Sequence, residues 1–164
     1  MSELIPISGC DQTDRKADVL FVHGLGGDAL GTWRHGTDDS TSWPHWLGNE
    51  FPQVGVWSLN YAASPSRWPR FKRLFGLDSN DSGHTMALPD RADQMLDLFT
   101  LKGLGQRPLM FICHSLGGLL VKQLLRQSSD NTDLHKNGVV NQTKVVLFLA
   151  TPHSGAELAT FVNA

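Results

Sequence analysis

Phe111-Ile112-Cys113-His114-Ser115-Leu116-Gly117-Gly118-Leu119 decides how this chain is read. An apolar run over residues 109–113 ends at a serine that has small residues two positions to either side, Cys113 and Gly117, and an apolar helical pattern follows almost at once. The spacing has a steric reason. A nucleophile held on a tight strand-to-helix turn brings neighbouring backbone very close, and bulky side chains at the two flanks would collide with it. The same turn directs the N–H of the next residue, Leu116, to the start of a helix, where an oxyanion is stabilised. Serine also caps helices, and G-x-S-x-G-like strings arise by chance. What separates this one is the strand before it, the helix after it and the doubled glycine Gly117-Gly118. Cysteine stands where such turns usually carry their first glycine, and it is small enough to be tolerated. Ser115 is therefore the candidate nucleophile.

Earlier in the chain, Val19-Leu20-Phe21-Val22 runs unbroken into His23-Gly24-Leu25-Gly26-Gly27. A continuous β-branched and aromatic run stopped by glycine predicts a strand, over residues 17–22, that is buried on both faces. An oxyanion hole needs a second donor from the loop after such a strand. Gly24, Gly26 and Gly27 allow backbone amides to turn toward a serine, and Leu25 is the choice for that second N–H. His23 leads the loop, and its expected role is to brace it by hydrogen bonds rather than to act as the base.

The rest of the chain alternates strand and helix signals. Residues 28–41 have no sustained period and read as a long loop. A short helix is predicted from about Ser42, with Pro44 in its first turn and Trp43, Trp46, Leu47 and Phe51 facing the core. Residues 54–61 form the second clear strand, and residues 64–81 are irregular. Leu88, Ala92, Met95, Leu96 and Phe99 recur at helical spacing, opened by Pro89 and closed by Gly103 and Gly105. Residues 109–113 are the third strand, 119–125 a helix, 130–138 a polar connection, and 145–150 the fourth strand, ending at Thr151-Pro152. Residues 4–7 suit an edge strand. This order predicts an α/β fold, a mostly parallel, doubly wound sheet with helices on both faces.

Three motifs in this order resemble the α/β-hydrolase superfamily: Val22-His23-Gly24-Leu25-Gly26-Gly27, then Ile112-Cys113-His114-Ser115-Leu116-Gly117-Gly118 with Val121-Lys122, then Leu149-Ala150-Thr151-Pro152-His153-Ser154-Gly155. Within it they are similar to a lipase-like branch that includes the serine-active-site-containing proteins and the inositol deacylases of lipid anchors. The resemblance covers about residues 17–156. It implies hydrolysis of a carboxylic ester or lipid through an acyl-enzyme on Ser115, with no cofactor and no metal. It places His114 and His153 near the site without fixing their roles.

The superfamily order is serine, acid, histidine. After Ser115 the histidines are His135 and His153 and the acids are Asp130, Asp133 and Glu157. His135 lies in a polar connection, and His153 suits a structural or pocket role better than that of base. Acid and base are accordingly expected on later strands, outside this sequence. Ser154-Gly155-Ala156-Glu157 is a capping-box pattern whose helix reaches Ala164 without a stop signal. Residues 1–164 are thus expected to be the N-terminal part of one α/β-hydrolase domain, with 1–16 a poorly defined lead-in. Further domains are expected in the parent chain, and the fragment alone should be inactive.

Composition narrows the alternatives. At 164 residues, with 40% hydrophobic and 18% charged, the chain is one domain or most of one. Lys+Arg 14 against Asp+Glu 16 leaves no basic field that would argue for nucleic acid. Cys10 and Cys113 are too few for a disulfide framework and read as free thiols. With no secretory signal and no run long enough to span a bilayer, a cytoplasmic location is expected. Arg67-Trp68-Pro69-Arg70-Phe71-Lys72-Arg73-Leu74-Phe75 is the one segment able to make peripheral contact with an anionic membrane or to act as a lid. Pro69 prevents a long amphipathic helix, which favours a loop with packed aromatics and solvated charges. Gly24-Leu25-Gly26-Gly27-Asp28-Ala29 also fits a dinucleotide-binding pattern, but that fold needs a helix to open there and an acid at the end of the next strand, where Asn60-Tyr61 stands. The remaining competitor is a non-catalytic hydrolase-like module serving signalling or scaffolding. No P-loop lysine, H-E-x-x-H or C-x-x-C pattern supports phosphate-loop or zinc chemistry.

Overall fold

The computed structural model describes residues 2–63 and 88–153, with side chains from residue 93 onward in the second stretch. In chain order the elements are β1 (Glu3–Ser8), β2 (Ala17–Val22), α1 (Trp43–Glu50), β3 (Val54–Asn60), α2 (Leu88–Leu101), β4 (Leu109–His114), α3 (Gly117–Asp130), α4 (Leu134–Gln142) and β5 (Thr143–Leu149). The strands form one sheet in the order β1-β3-β2-β4-β5. The β2–β3, β2–β4 and β4–β5 pairs are parallel, and β1 is added antiparallel at one edge.

Successive residues of the central strands enter two different cores. Leu20 and Val22 of β2 and Leu109, Phe111 and Cys113 of β4 pack with Met95, Leu96 and Phe99 of α2, Leu120 and Leu124 of α3, and Val139 of α4. Val19, Phe21 and Ile112 point the other way, to Trp33, Trp43 and Leu47 on the α1 side. Both faces are covered, so the strands need no polar alternation, which is why they read as unbroken apolar runs.

The connections define a crevice. Strand β2 leads through α1 to β3 on one side, whereas its neighbour β4 leads through α3 and α4 to β5 on the other. Adjacent parallel strands whose connections depart in opposite directions leave an opening beyond their carboxyl ends, where ligands bind in doubly wound sheets. His23 and Ser115 follow directly after those two strand ends.

Several elements differ from the sequence reading. Residues 28–41 contain 3-10 turns at Gly31–Trp33 and Asp39–Thr41. Helix α3 starts at Gly117, two residues before the expected Leu119, and runs to Asp130. The polar connection expected at 130–138 holds helix α4, started by the Asp133 carboxylate accepting from the N–H groups of His135 and Lys136. Its buried Val139 is too little for a helical period, and the Ser128 hydroxyl ties it to α3 by donating to the Lys136 carbonyl and accepting from the Val140 N–H. Trp46 and Phe51 were expected in the core but are 54% and 47% exposed, because α1 turns Pro44, Gly48, Trp43 and Leu47 inward instead. Among the described residues β5 is the last strand of the sheet, with Val145 and Leu147 exposed. Gly103 and Gly105, at φ 75° and 89°, close α2 as predicted. No helix opens at the Gly24–Gly27 loop, as a dinucleotide site would require; α1 begins only at Trp43. The basic-aromatic segment 67–75 and the capping box at 154–157 lie outside the described residues, as do the side chains of Leu88, Pro89 and Ala92. Both cysteines are free and buried. Among the described residues no helix is long and apolar enough to cross a membrane.

The amino end of the sheet is held by a buried charge. Asp18, fully buried at the start of β2, accepts from Arg15 Nε at 2.7 Å, Trp57 Nε1 at 2.9 Å and Arg107 Nη1 at 3.3 Å. Gly55 is glycine because a Cβ there would lie 2.9 Å from the Arg15 side chain. Removing one member of a buried pair leaves the other uncompensated. Asp18→Asn is expected to cost about 3 kcal/mol in urea unfolding, since the amide keeps the shape but not the charge facing Arg15 and Arg107.

Candidate active site

Ser115 has φ 53°, a left-handed conformation unfavourable for any side chain with a Cβ. Two hydrogen bonds impose it: its N–H donates to the Leu149 carbonyl at 2.8 Å, and its carbonyl accepts from the Gly118 N–H at 3.1 Å. Leu116, at φ −65° and ψ −18°, is already helical, so the chain passes from β4 to α3 through one strained residue. Ser115 is 2% exposed, and its Oγ has no hydrogen-bond partner among the described residues. Cys113, packed below the turn, is also buried, and burial pushes its thiol up to about 12, so it is not a thiolate competitor.

The glycines fit against their neighbours with no room for a side chain. A Cβ on Gly117 would strike the carbonyls of His23 and Val22, the latter at 2.5 Å. One on Gly24 would lie 2.7 Å from Ser115 Cβ, and one on Gly118 2.7 Å from Thr151 Cγ2 and 2.8 Å from Phe148 Cδ1. The β2 loop, the serine turn and the end of β5 are thus in mutual contact. Gly26, at φ 70°, donates its N–H to the Ala63 carbonyl at 2.7 Å, and the Gly27 N–H donates to Gly24 at 3.2 Å. The N–H groups of Leu25 and Leu116 have no acceptor among the described residues. Two unclaimed amides on the loops flanking an unclaimed hydroxyl suit stabilisation of an oxyanion.

His23 is fully buried. Its Nδ1 lies 2.9 Å from the Gly24 carbonyl, which can only accept, so Nδ1 carries the proton and Nε2 the lone pair. The ring stacks on Tyr61 with centroids 4.3 Å apart, and the Tyr61 hydroxyl donates to the His23 carbonyl at 2.5 Å. Burial lowers the His23 pKa, opposed by the bond to Gly24, and the imidazole is neutral. His114 is exposed beside the Gly24 loop, its Nδ1 3.3 Å from where a Cβ on Gly24 would lie. There it borders a cleft of about 310 Å³ lined by Trp33, Trp43, Trp46 and Leu149 together with polar residues of 32–41. His153 receives the Lys122 ammonium on Nδ1 at 2.6 Å and meets Phe148 edge-on at 4.9 Å, while Lys122 lies 5.2 Å from the centre of the Phe148 ring.

The other candidates do not gather at the serine. His135 is in the first turn of α4 and borders a separate cavity of about 280 Å³ with Thr100, Leu104 and Gly105. Asp133 caps α4, the N–H groups of Lys136 and His135 holding its carboxyl below the usual range, and Asp130 closes α3. Glu157 lies outside the described residues. Among the described residues no three His, Cys, Asp or Glu side chains cluster as metal ligands. Sequence reading missed Tyr61 and Thr151. Tyr61 is the one tyrosine of the chain and directly follows β3, a signal that was available; the contact of Thr151 with Gly118 had none.

No family model matches the chain. It is similar to Protein SERAC1 of cattle (Bos taurus), mouse (Mus musculus) and human (Homo sapiens), at 32% identity over 161 residues in each, covering 89% of this chain and 23% of the relative. The chain therefore spans about a quarter of the length of these curated relatives. A solved structure of brefeldin A esterase, titled a bacterial homologue of human hormone sensitive lipase, aligns over 89% of this chain and 38% of its own at 12% identity, with a TM-score of 0.33. That likeness is too distant to bear on function.

Two outcomes follow from the site geometry. Gly117→Ala is expected to destabilise the fold by about 3 kcal/mol in urea unfolding, because the atoms its methyl meets are backbone carbonyls that cannot rotate away. His23 should titrate below its ordinary value of 6.5 in an NMR pH series. Between that lowered value and 6.5 the unfolded chain binds more protons than the native one, so the His23 contribution to stability rises with pH through this window and is level above it.

Proposed function

We propose that this chain carries the nucleophile half of a serine hydrolase of the α/β-hydrolase type, acting on carboxylic esters or lipids. The observation that carries the reading is Ser115 at φ 53° on the β4–α3 turn, with the glycine loop after β2 packed against it at the crevice between the two strand ends. The similarity to Protein SERAC1 supports the same reading at the level of the family.

In this mechanism Ser115 Oγ attacks the ester carbonyl carbon and its proton passes to a general base. The carbonyl oxygen becomes an oxyanion that accepts hydrogen bonds from the N–H groups of Leu25 and Leu116. Collapse of the tetrahedral intermediate expels the alcohol, which takes the proton, and leaves an acyl group on Ser115. Water then attacks, and the acid is released. Gly24, Gly26, Gly27, Gly117 and Gly118 permit the approach of the two donor loops. His23 holds the first loop through Gly24, and its enclosed position under Tyr61 argues against a role as base. The base and its orienting acid are assigned to the polypeptide outside the described residues, in a parent protein with further domains.

The competing reading, a non-catalytic module of the same fold, rests on one observation: Ser115 Oγ has no ring nitrogen within hydrogen-bond distance among the described residues. Labelling of the full-length protein with a fluorophosphonate separates the two. A covalent adduct on Ser115, absent in Ser115→Ala, is expected, together with a loss of ester hydrolysis on the order of 10⁴-fold or more. A folded full-length protein that takes no label at Ser115 would establish the non-catalytic module.

A further inference from the structure

We infer that the indole-lined cleft beside the serine turn is a subsite for the uncharged alkyl or aryl part of the ester, with Trp46 as its specificity-determining wall. The inference rests on the serine-hydrolase reading and adds to it the class of group the substrate carries.

The cleft opens beside the nucleophile. His114, immediately before Ser115, and Leu149, whose carbonyl holds the Ser115 N–H, both border it. It lies on the α1 side of the sheet, directly above the smaller core. Its floor is rigid: Trp33 and Trp43 meet Phe21 edge-on at 5.0 and 5.5 Å, and each other at 6.2 Å. Aromatic rings locked in this way present apolar area with little entropy left to lose on binding.

Trp46 forms the outer wall. It is 54% exposed, yet its orientation is set, because its indole N–H donates to the Ser40 carbonyl at 2.5 Å. An exposed indole with its polar atom already satisfied has only its apolar faces to offer a ligand. A flexible surface tryptophan would have no such tether.

The Arg34 guanidinium is met on Nη1 by Asp39 at 3.4 Å, so its charge is opposed within the protein, while its Nε has no partner among the described residues and can donate to a neutral acceptor such as an ester oxygen. His35, Thr32 and Thr41 complete the rim. A volume of about 310 Å³ is at the lower end of small-molecule sites. At ~30 Å³ for each water-sized atom it holds on the order of ten non-hydrogen atoms, enough for a medium-length chain or one aromatic ring.

The test uses the full-length protein. Hydrolysis of p-nitrophenyl octanoate and acetate is compared in wild type, Trp46→Ala and Trp46→Phe. The octanoate-to-acetate ratio of kcat/KM is expected to fall about tenfold in Trp46→Ala and to recover largely in Trp46→Phe. A second arm does not need turnover. Ser115→Ala protein is titrated with methyl octanoate and with octyl acetate while tryptophan emission is followed, and the same titrations are repeated in Ser115→Ala/Trp46→Phe. A blue shift seen in the first protein and absent from the second is expected. The tighter of the two ligands tells whether the cleft takes the acyl or the alcohol side. Ser115-dependent hydrolysis with an unchanged octanoate-to-acetate ratio and no Trp46-dependent shift with either ligand would overturn the subsite and leave the hydrolase reading standing. A Trp46-dependent shift without Ser115-dependent hydrolysis would do the reverse.

Discussion

The structure depends on one close approach: the start of helix α3 lies directly beneath the carbonyls that end strand β2. Gly117 has no space for a methyl group between itself and the backbone of Val22 and His23. Because the Val22 carbonyl ends a paired strand and the His23 carbonyl is held by the Tyr61 hydroxyl, the distance between the β4 and β2 loops cannot relax outward, and Ser115 passes through its left-handed turn. The strain at Ser115 is held by two backbone hydrogen bonds, one reaching across to β5. Three strand ends are thereby locked together by contacts made almost wholly of backbone. Such contacts keep a reactive geometry in place without occupying the side chains that would do chemistry.

The two ends of the sheet solve the problem of buried polarity in opposite ways. At the amino end Asp18 is surrounded by two guanidinium groups and an indole N–H, and each of its oxygens is engaged. At the carboxyl end His23 Nε2, Ser115 Oγ and Thr151 Oγ1 are enclosed without partners among the described residues. Native proteins satisfy nearly all buried polar atoms, because each one left unmade costs on the order of 1–3 kcal/mol. Of the seven such side-chain atoms among the described residues, these three share adjoining loops, and Trp33 Nε1 and Arg34 Nε lie by the neighbouring cleft. The paired end supplies stability, and the unpaired end is where a substrate, a water or another part of the polypeptide would find hydrogen-bonding capacity unused.

Much of this was legible in the sequence because burial on both faces leaves an unmistakable trace. Strands β2 and β4 read as continuous apolar runs, Gly103 and Gly105 marked a helix end, and the serine turn announced itself through Cys113 and Gly117 flanking Ser115. Helix α4 was not legible. It buries one apolar residue and is held by a cap at Asp133 and by the hydroxyl of Ser128, neither of which leaves a period. Trp46 was misread for the converse reason: hydrophobicity placed it inward, while the helix phase set by Pro44 and Gly48 turned it to solvent. The unpaired Leu25 and Leu116 amides, and the contact of Thr151 with Gly118, depend on distances between loops far apart in sequence, which spacing along the chain does not encode.

The phase of α1 also explains how the cleft comes to exist. Gly48 packs against Ser8 at a distance no side chain could share, and this draws α1 onto the edge of the sheet near β1. With Gly48 and Pro44 inward, position 46 must face away from the core, and Trp43 is left at the boundary between core and cleft. An edge-on triad of Phe21, Trp33 and Trp43 then closes the floor so that the space above it cannot collapse. A large indole held half-exposed costs the fold apolar burial that an inward phase would have gained. The face left uncovered borders the same cleft as His114, next to Ser115, so the phase of α1 places an apolar wall where a substrate would lie.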